Sequence, residues 1–194
     1  MKYSGADLIG EERYLKSGEA SWRYKLLFKW FASKDTTLHL HLPETYLKRC
    51  WLMCDDIKRY ADEEIEPDFI LSVLVESFLT ELAKRGSLLA YEYLMDRYSK
   101  VLQVAHYQFK KVDEFELFEK PNEPLETYTV SLDRDAVYRL EWFLMELDEV
   151  VQTHGLTVEK VLEILFCYVI ELVKKGGGEQ FFKKLISHID NIED

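Results

Sequence analysis

From Thr36 to Leu42 the chain alternates polar and apolar residues, TTLHLHL, the pattern of a strand with one buried face. Pro43-Glu44-Thr45 then opens a segment in which Leu47, Cys50, Met53, Cys54, Ile57 and Ala61 recur at three- and four-residue spacing, one face of a helix. A second helix follows, with Leu71, Leu74, Val75, Phe78, Leu79 and Leu82 on one face, and Lys84-Arg85-Gly86 supplies a stop: cations in the last turn, then glycine.

The same order of elements returns 90 residues later. Residues 36–86 slide onto 126–176 without a gap. Leu38, Leu40 and Leu42 fall on Tyr128, Val130 and Leu132, the first helix face on Val137, Leu140, Phe143, Leu144, Leu147 and Val151, and the second on Val161, Ile164, Leu165, Tyr168, Val169 and Leu172. Lys174-Lys175-Gly176 repeats the stop. A lone strand cannot satisfy its own backbone groups, so the two strands are expected to pair with each other. The expected fold is mostly α: two tandem strand-helix-helix repeats pairing as an intramolecular antiparallel β-ribbon on a helical core.

Outside the matched stretches, residues 88–103 and 179–192 read as further amphipathic helices. The expected division is a basic aromatic N-terminal arm with a helix (1–35), a first repeat with an extra helix (36–103), a linker (104–125), and a second repeat with a C-terminal helix (126–194). The linker holds Pro121 and Pro124, and its Tyr107/Phe109 and Phe115/Leu117 alternations suggest a small hairpin. The helix at 158–173 carries a second apolar row, Leu162, Phe166 and Ile170, where the first copy has Ser72, Glu76 and Thr80. Such a row needs cover, from the aromatic segment 21–31 or from a partner or second copy of the chain.

Composition narrows the class. Of the residues, 47% are hydrophobic and 14% aromatic, enough for a real core. No apolar run reaches the ~18 residues that would cross a bilayer. The opening residues lack the apolar core of a secretory signal, and three cysteines offer no disulfide framework, so a cytoplasmic protein without membrane contact is expected. The net charge of −11 weighs against nucleic acid. The charge is uneven, however: SWRYKLLFKWF (21–31) carries Arg23, Lys25 and Lys29 and no acid. That segment suits nucleic acid or an anionic membrane surface, but a docked core helix with snorkelling cations is the preferred reading.

The strand-helix-helix pattern resembles the ribbon-helix-helix family of Arc-type and MetJ-type repressors, over about half of the chain. The resemblance implies a ribbon that enters the major groove of double-stranded DNA. The ribbon residues facing away from the core would touch base edges: Thr37, His39 and His41 in one strand, Thr127, Thr129 and Ser131 in the other. It further implies a phosphate anchor at the start of the second helix, carried in copy two by Gly155-Leu156-Thr157. Copy one has Asp62, Glu63, Glu64, Glu66 and Asp68 at that turn, which would repel phosphate. Arg134, Arg139, Lys48 and Lys160 are the cations that would flank a DNA-binding ribbon.

The residues themselves allow other readings. His39 and His41 could share a metal ion, present a surface to a partner, or be plain exposed strand residues. Cys50 and Cys54 fall on Leu140 and Leu144, which makes them small core residues. No nucleophile constellation or phosphate loop is present, and the carboxylates read as solvated helix faces. The expected function is therefore non-enzymatic and cofactor-free: a DNA-binding transcriptional regulator or plasmid-type accessory factor. The alternative is an acidic protein–protein interaction module that does not bind DNA.

Overall fold

A computed structural model describes residues 2–61, 64–105, 124–151 and 154–190. The hairpin expected at Tyr107/Phe109 and Phe115/Leu117 lies outside the described residues, as do Asp62 and Glu63. The elements are α1 (Leu8–Lys16), α2 (Trp22–Phe31), β1 (Asp35–Pro43), α3 (Glu44–Ala61), α4 (Pro67–Arg85), α5 (Ser87–Ala105), β2 (Leu125–Asp133), α6 (Arg134–Val150), α7 (Val158–Lys174) and α8 (Glu179–Asp190).

Local chemistry sets the boundaries. Ser21, Asp133 and Thr157 cap α2, α6 and α7 by accepting from the backbone N–H three residues on. Pro67 occupies the first turn of α4, where its missing N–H costs nothing. Both glycine stops act as glycines must: Gly86 and Gly176 sit at φ 78° and 74°.

β1 and β2 form a single antiparallel pair, with His39 opposite Thr129 at its centre, Thr37 opposite Ser131 and His41 opposite Thr127. The inward residues Leu38, Leu40, Leu42, Val130 and Leu132 are buried in one core cluster, which runs from Tyr3 through α3–α8 to Leu185. Each such side chain contributes about 1.5–3 kcal/mol on leaving water.

The chain is mostly helical with one two-stranded sheet, but two tandem strand-helix-helix repeats are not its architecture. Eight helices accompany the sheet among the described residues, and α1, α2, α5 and α8 belong to no such unit. The two second helices are also unequal. In α7 the continuous run Val161–Cys167 is buried, whereas α4 leaves Glu76 and Thr80 exposed. Helix α5 packs along α7, and β1, α3, α4 and α6 meet α7 as well. Leu162, Phe166 and Ile170 are fully buried there, so the row expected to need a partner or the 21–31 segment is covered by the chain's own helices.

The preferred reading of 21–31 as a docked core helix is likewise corrected. In α2, Phe28 is half-buried and Tyr24 stacks edge-on against Tyr14, but Trp22, Leu26 and Trp30 stand in solvent.

Candidate interaction surface

The outer face of the ribbon is built from six side chains, and all six are exposed: Thr37, His39, His41, Thr127, Thr129 and Ser131. Strand alternation puts them on one side, because their neighbours are drawn into the core. Cross-strand pairs tie them together. His39 Nδ1 lies 3.1 Å from Thr129 Oγ1, and His41 Nδ1 lies 3.3 Å from Thr127 Oγ1. Each histidine thus engages one ring nitrogen with a threonine. Among the described residues, no group of three or more His, Cys, Asp or Glu side chains is placed to hold a metal ion. Cys50 and Cys54 are buried in α3, and the hydrogen bond between them, with burial, pushes the Cys50 thiol up, away from thiolate chemistry.

The edges of the ribbon are closed by carboxylates. On the β1 side the His41 N–H donates to Glu163 of α7 at 2.8 Å. On the β2 side the Ser131 N–H donates to Asp68 of α4 at 3.0 Å, and Asp68 also accepts from the Tyr128 hydroxyl at 2.5 Å. Two outward-facing backbone donors that could recruit another strand are thereby occupied.

Glu163 is 1% exposed, so the expectation that carboxylates lie on solvated faces fails for it. It fails too for Glu141 and Glu171, both buried. Burial pushes the Glu163 carboxyl above its ordinary range, against the opposing pull of the His41 N–H and Lys160. A carboxyl that binds its proton more tightly when folded adds stability at low pH, and that stability is lost as pH rises from the unfolded value of 4.5 through the raised one. Glu163→Gln removes the titration while keeping an acceptor for His41. Acidification from neutral pH toward 4.5 should therefore favour the wild type over the variant in urea midpoints. A difference between the two that stays flat with pH would show that Glu163 titrates as it does in the unfolded chain.

The groups expected to meet phosphate are engaged elsewhere. Arg134 is ion-paired with Glu11 of α1, and its guanidinium lies 5.3 Å from the centre of the Phe28 ring. Lys48 pairs with Glu44, and Lys160 with Glu163 at 3.1 Å. Arg139 is exposed.

The start of α7 is covered by the N-terminal segment. Gly155 supplies the turn at φ 64°, and Thr157 caps the helix through the Lys160 N–H. The Val158 N–H donates to the Tyr3 carbonyl at 2.8 Å, and Glu159 accepts from the Gly5 N–H at 2.7 Å. Tyr3 is held in turn by Asp148, which accepts from its hydroxyl at 2.7 Å; burial and this bond push the phenol up to about 12. Asp148 also lies 3.0 Å from Nε2 of the buried His154, whose Nδ1 accepts from the Leu156 N–H at 3.0 Å. The anion site implied by Gly155 and Thr157 is therefore filled by peptide and carboxylate groups of the chain itself.

Beside the ribbon, a cleft of about 600 Å³ opens between α4 and α6. Val75, Leu79, Leu132 and Ala136 give it an apolar lining, and Glu76, Asp133, Asp135, Lys84 and Arg139 a polar one. The ribbon's near end carries the facing pair Asp35 and Asp133, and its far end the exposed Glu126.

Sequence reasoning placed the six outward residues but missed their surroundings: the clamps Asp68 and Glu163, the Glu11 partner of Arg134, and the cover over α7. One signal was available for Glu163. At the 90-residue offset it falls on an apolar residue, Val73. No protein-family model, curated protein or solved structure matches this chain.

Proposed function

We infer that this chain is a cytoplasmic, non-enzymatic protein-interaction module. Its docking surface is the polar ribbon face together with the adjoining cleft, whose lining is part apolar and part charged. The observation that carries this reading is the commitment of the ribbon's cations. Three of the four that would neutralise phosphates (Arg134, Lys48 and Lys160) are ion-paired to the chain's own carboxylates. Affinity for duplex DNA comes chiefly from releasing counterions at phosphates, so a ribbon with three of these four cations paired, Arg139 exposed, and Asp35, Asp133 and Glu126 at its ends has little of the main term. The ribbon's hydroxyl and imidazole groups would suit base edges, but base contacts specify rather than hold. Against a protein, the same groups offer hydrogen bonds beside a cleft with an apolar lining and three carboxylates against two cations, Lys84 and Arg139, a net negative surface suited to a peptide bearing apolar anchors and Lys or Arg.

Two measurements test this. Fluorescence anisotropy on random duplex DNA at low salt should show no rise that salt abolishes. Selection from a displayed library of random peptides should enrich cationic sequences whose binding Thr129→Arg or Asp135→Lys weakens at least ~10-fold by like-charge repulsion. Salt-sensitive duplex binding that the paired change His39→Ala/Thr129→Ala removes would reverse the assignment in favour of DNA.

A further inference from the structure

Helix α2 turns one face to solvent. Residues Trp22, Leu26 and Trp30, spaced i, i+4, i+8, form one row along it. They are 70%, 48% and 74% exposed. The opposite side holds the helix to the body, through Tyr24 against the Tyr14 ring at 5.6 Å and Phe28 beneath the Arg134 guanidinium. At 100° per residue, Arg23 and Lys25 fall on opposite flanks of the exposed row. Both are exposed, Arg23 lying 5.7 Å from the Trp22 ring centre and Lys25 reaching the Ser17 carbonyl at 3.3 Å. The helix contains no acid, in a chain whose net charge is −11.

We propose that α2 is an interfacial helix that seats this protein on an anionic lipid surface, with Trp22, Leu26 and Trp30 sunk to the headgroup level and Arg23 and Lys25 reaching lipid phosphates on either side. Charge sign selects an anionic partner, and the shape of the patch selects among anionic partners. Duplex DNA would take the cations but offers nowhere to bury two indoles and a leucine. A groove on a second copy, or on another protein, takes one row of anchors between apolar walls, and cations on both flanks would meet those walls. A bilayer interface accepts the row and both flanks together, and indole rings favour that depth. Among the described residues no helix is long and apolar enough to cross a membrane, so α2 lies on the surface rather than through it. At ten residues it is about 15 Å long, and its binding is reversible.

The test is co-sedimentation of the full chain with phosphatidylcholine vesicles, with and without about one-third phosphatidylglycerol, at low salt. Binding is expected only with the anionic lipid, together with a blue shift of tryptophan emission. Trp22→Ser/Trp30→Ser and Arg23→Glu/Lys25→Glu should each weaken it by ~10-fold or more, since the apolar and charged parts act together. These four side chains are exposed, and circular dichroism checks that both variants stay folded. Thr129→Arg on the ribbon should leave lipid binding unchanged, which separates this proposal from the peptide-binding surface. No partition into anionic vesicles overturns the proposal. So does partition that survives both double variants, or self-association in sedimentation velocity that the tryptophan variants abolish, since a second copy would then cover the row.

Discussion

Glu141→Ala is expected to destabilise the protein by about 3 kcal/mol, the loss of two to three buried hydrogen-bond acceptor sites at ~1–3 kcal/mol each. Glu141 belongs to α6 and is 0% exposed. It accepts from the Ser4 hydroxyl, from the Leu8 N–H at 3.0 Å and from the Ile9 N–H at 2.8 Å. Those two N–H groups are orphan donors at the start of α1, whose own cap residue Asp7 makes no side-chain capping bond. A carboxylate on α6 thus does the capping that α1 cannot do for itself, and it ties the N-terminal segment to the core.

Replacing a buried ion pair by apolar residues is often harmless, because both partners leave together. Here two of the three donors, the Leu8 and Ile9 N–H groups, are backbone groups that stay in place, so Glu141→Leu should be nearly as damaging as Glu141→Ala. Glu141→Gln keeps one carbonyl oxygen and should lose about half as much. With a urea slope of about 2 kcal/mol/M, the alanine change moves the midpoint by ~1.5 M. Proteolysis within residues 2–16 should also become faster than in the wild type. An alanine variant within ~0.5 kcal/mol of wild type would mean that α1 docks without this cap.

The failure of sequence reasoning at Glu141 has a definite cause. Its donors lie more than 130 residues away in sequence, at Leu8 and Ile9. Periodicity reports which face of a helix is buried, not which backbone ends arrive against it. The same holds for Glu11 on Arg134 and Tyr3 over α7: both contacts come from an N-terminal stretch whose pattern says only that it is a basic aromatic arm with a helix. What was legible is what depends on local alternation. The inward leucines of β1, the outward Thr37, His39 and His41, and the glycine stops at 86 and 176 all follow from spacing, and so does the antiparallel pairing of two strands with nowhere else to bond. The arrangement as two like repeats was over-read from that pattern. Apolar positions that coincide at an offset of 90 residues do not require equal packing, and α5 makes the surroundings of α4 and α7 differ. The exposure of Trp22, Leu26 and Trp30 was hidden for a related reason: the second apolar row of α7 calls for a cover that α2 could provide, and other elements of the chain already bury that row.

That exchange of covers makes Phe166 decisive. As part of an interface row, Phe166→Ala would leave the isolated chain nearly as stable as before and would weaken an association. As found, Phe166 is 0% exposed within α7, flanked by Leu162 and Ile170, also at 0%. Truncating a fully buried phenylalanine costs the transfer of the ring plus the cavity left behind, about 3–5 kcal/mol, and a close-packed centre can collapse little to fill it. The expected loss is ~4 kcal/mol, against a total stability of about 5–15 kcal/mol for a domain. Phe166→Leu, which fills most of the space, should cost less than half as much. Because the burial is within one chain, the loss should be the same at low and high protein concentration, whereas an interface would make the unfolding temperature rise with concentration. A Phe166→Ala variant that loses less than ~1 kcal/mol, or whose deficit shrinks as the protein is concentrated, would return Leu162, Phe166 and Ile170 to the surface.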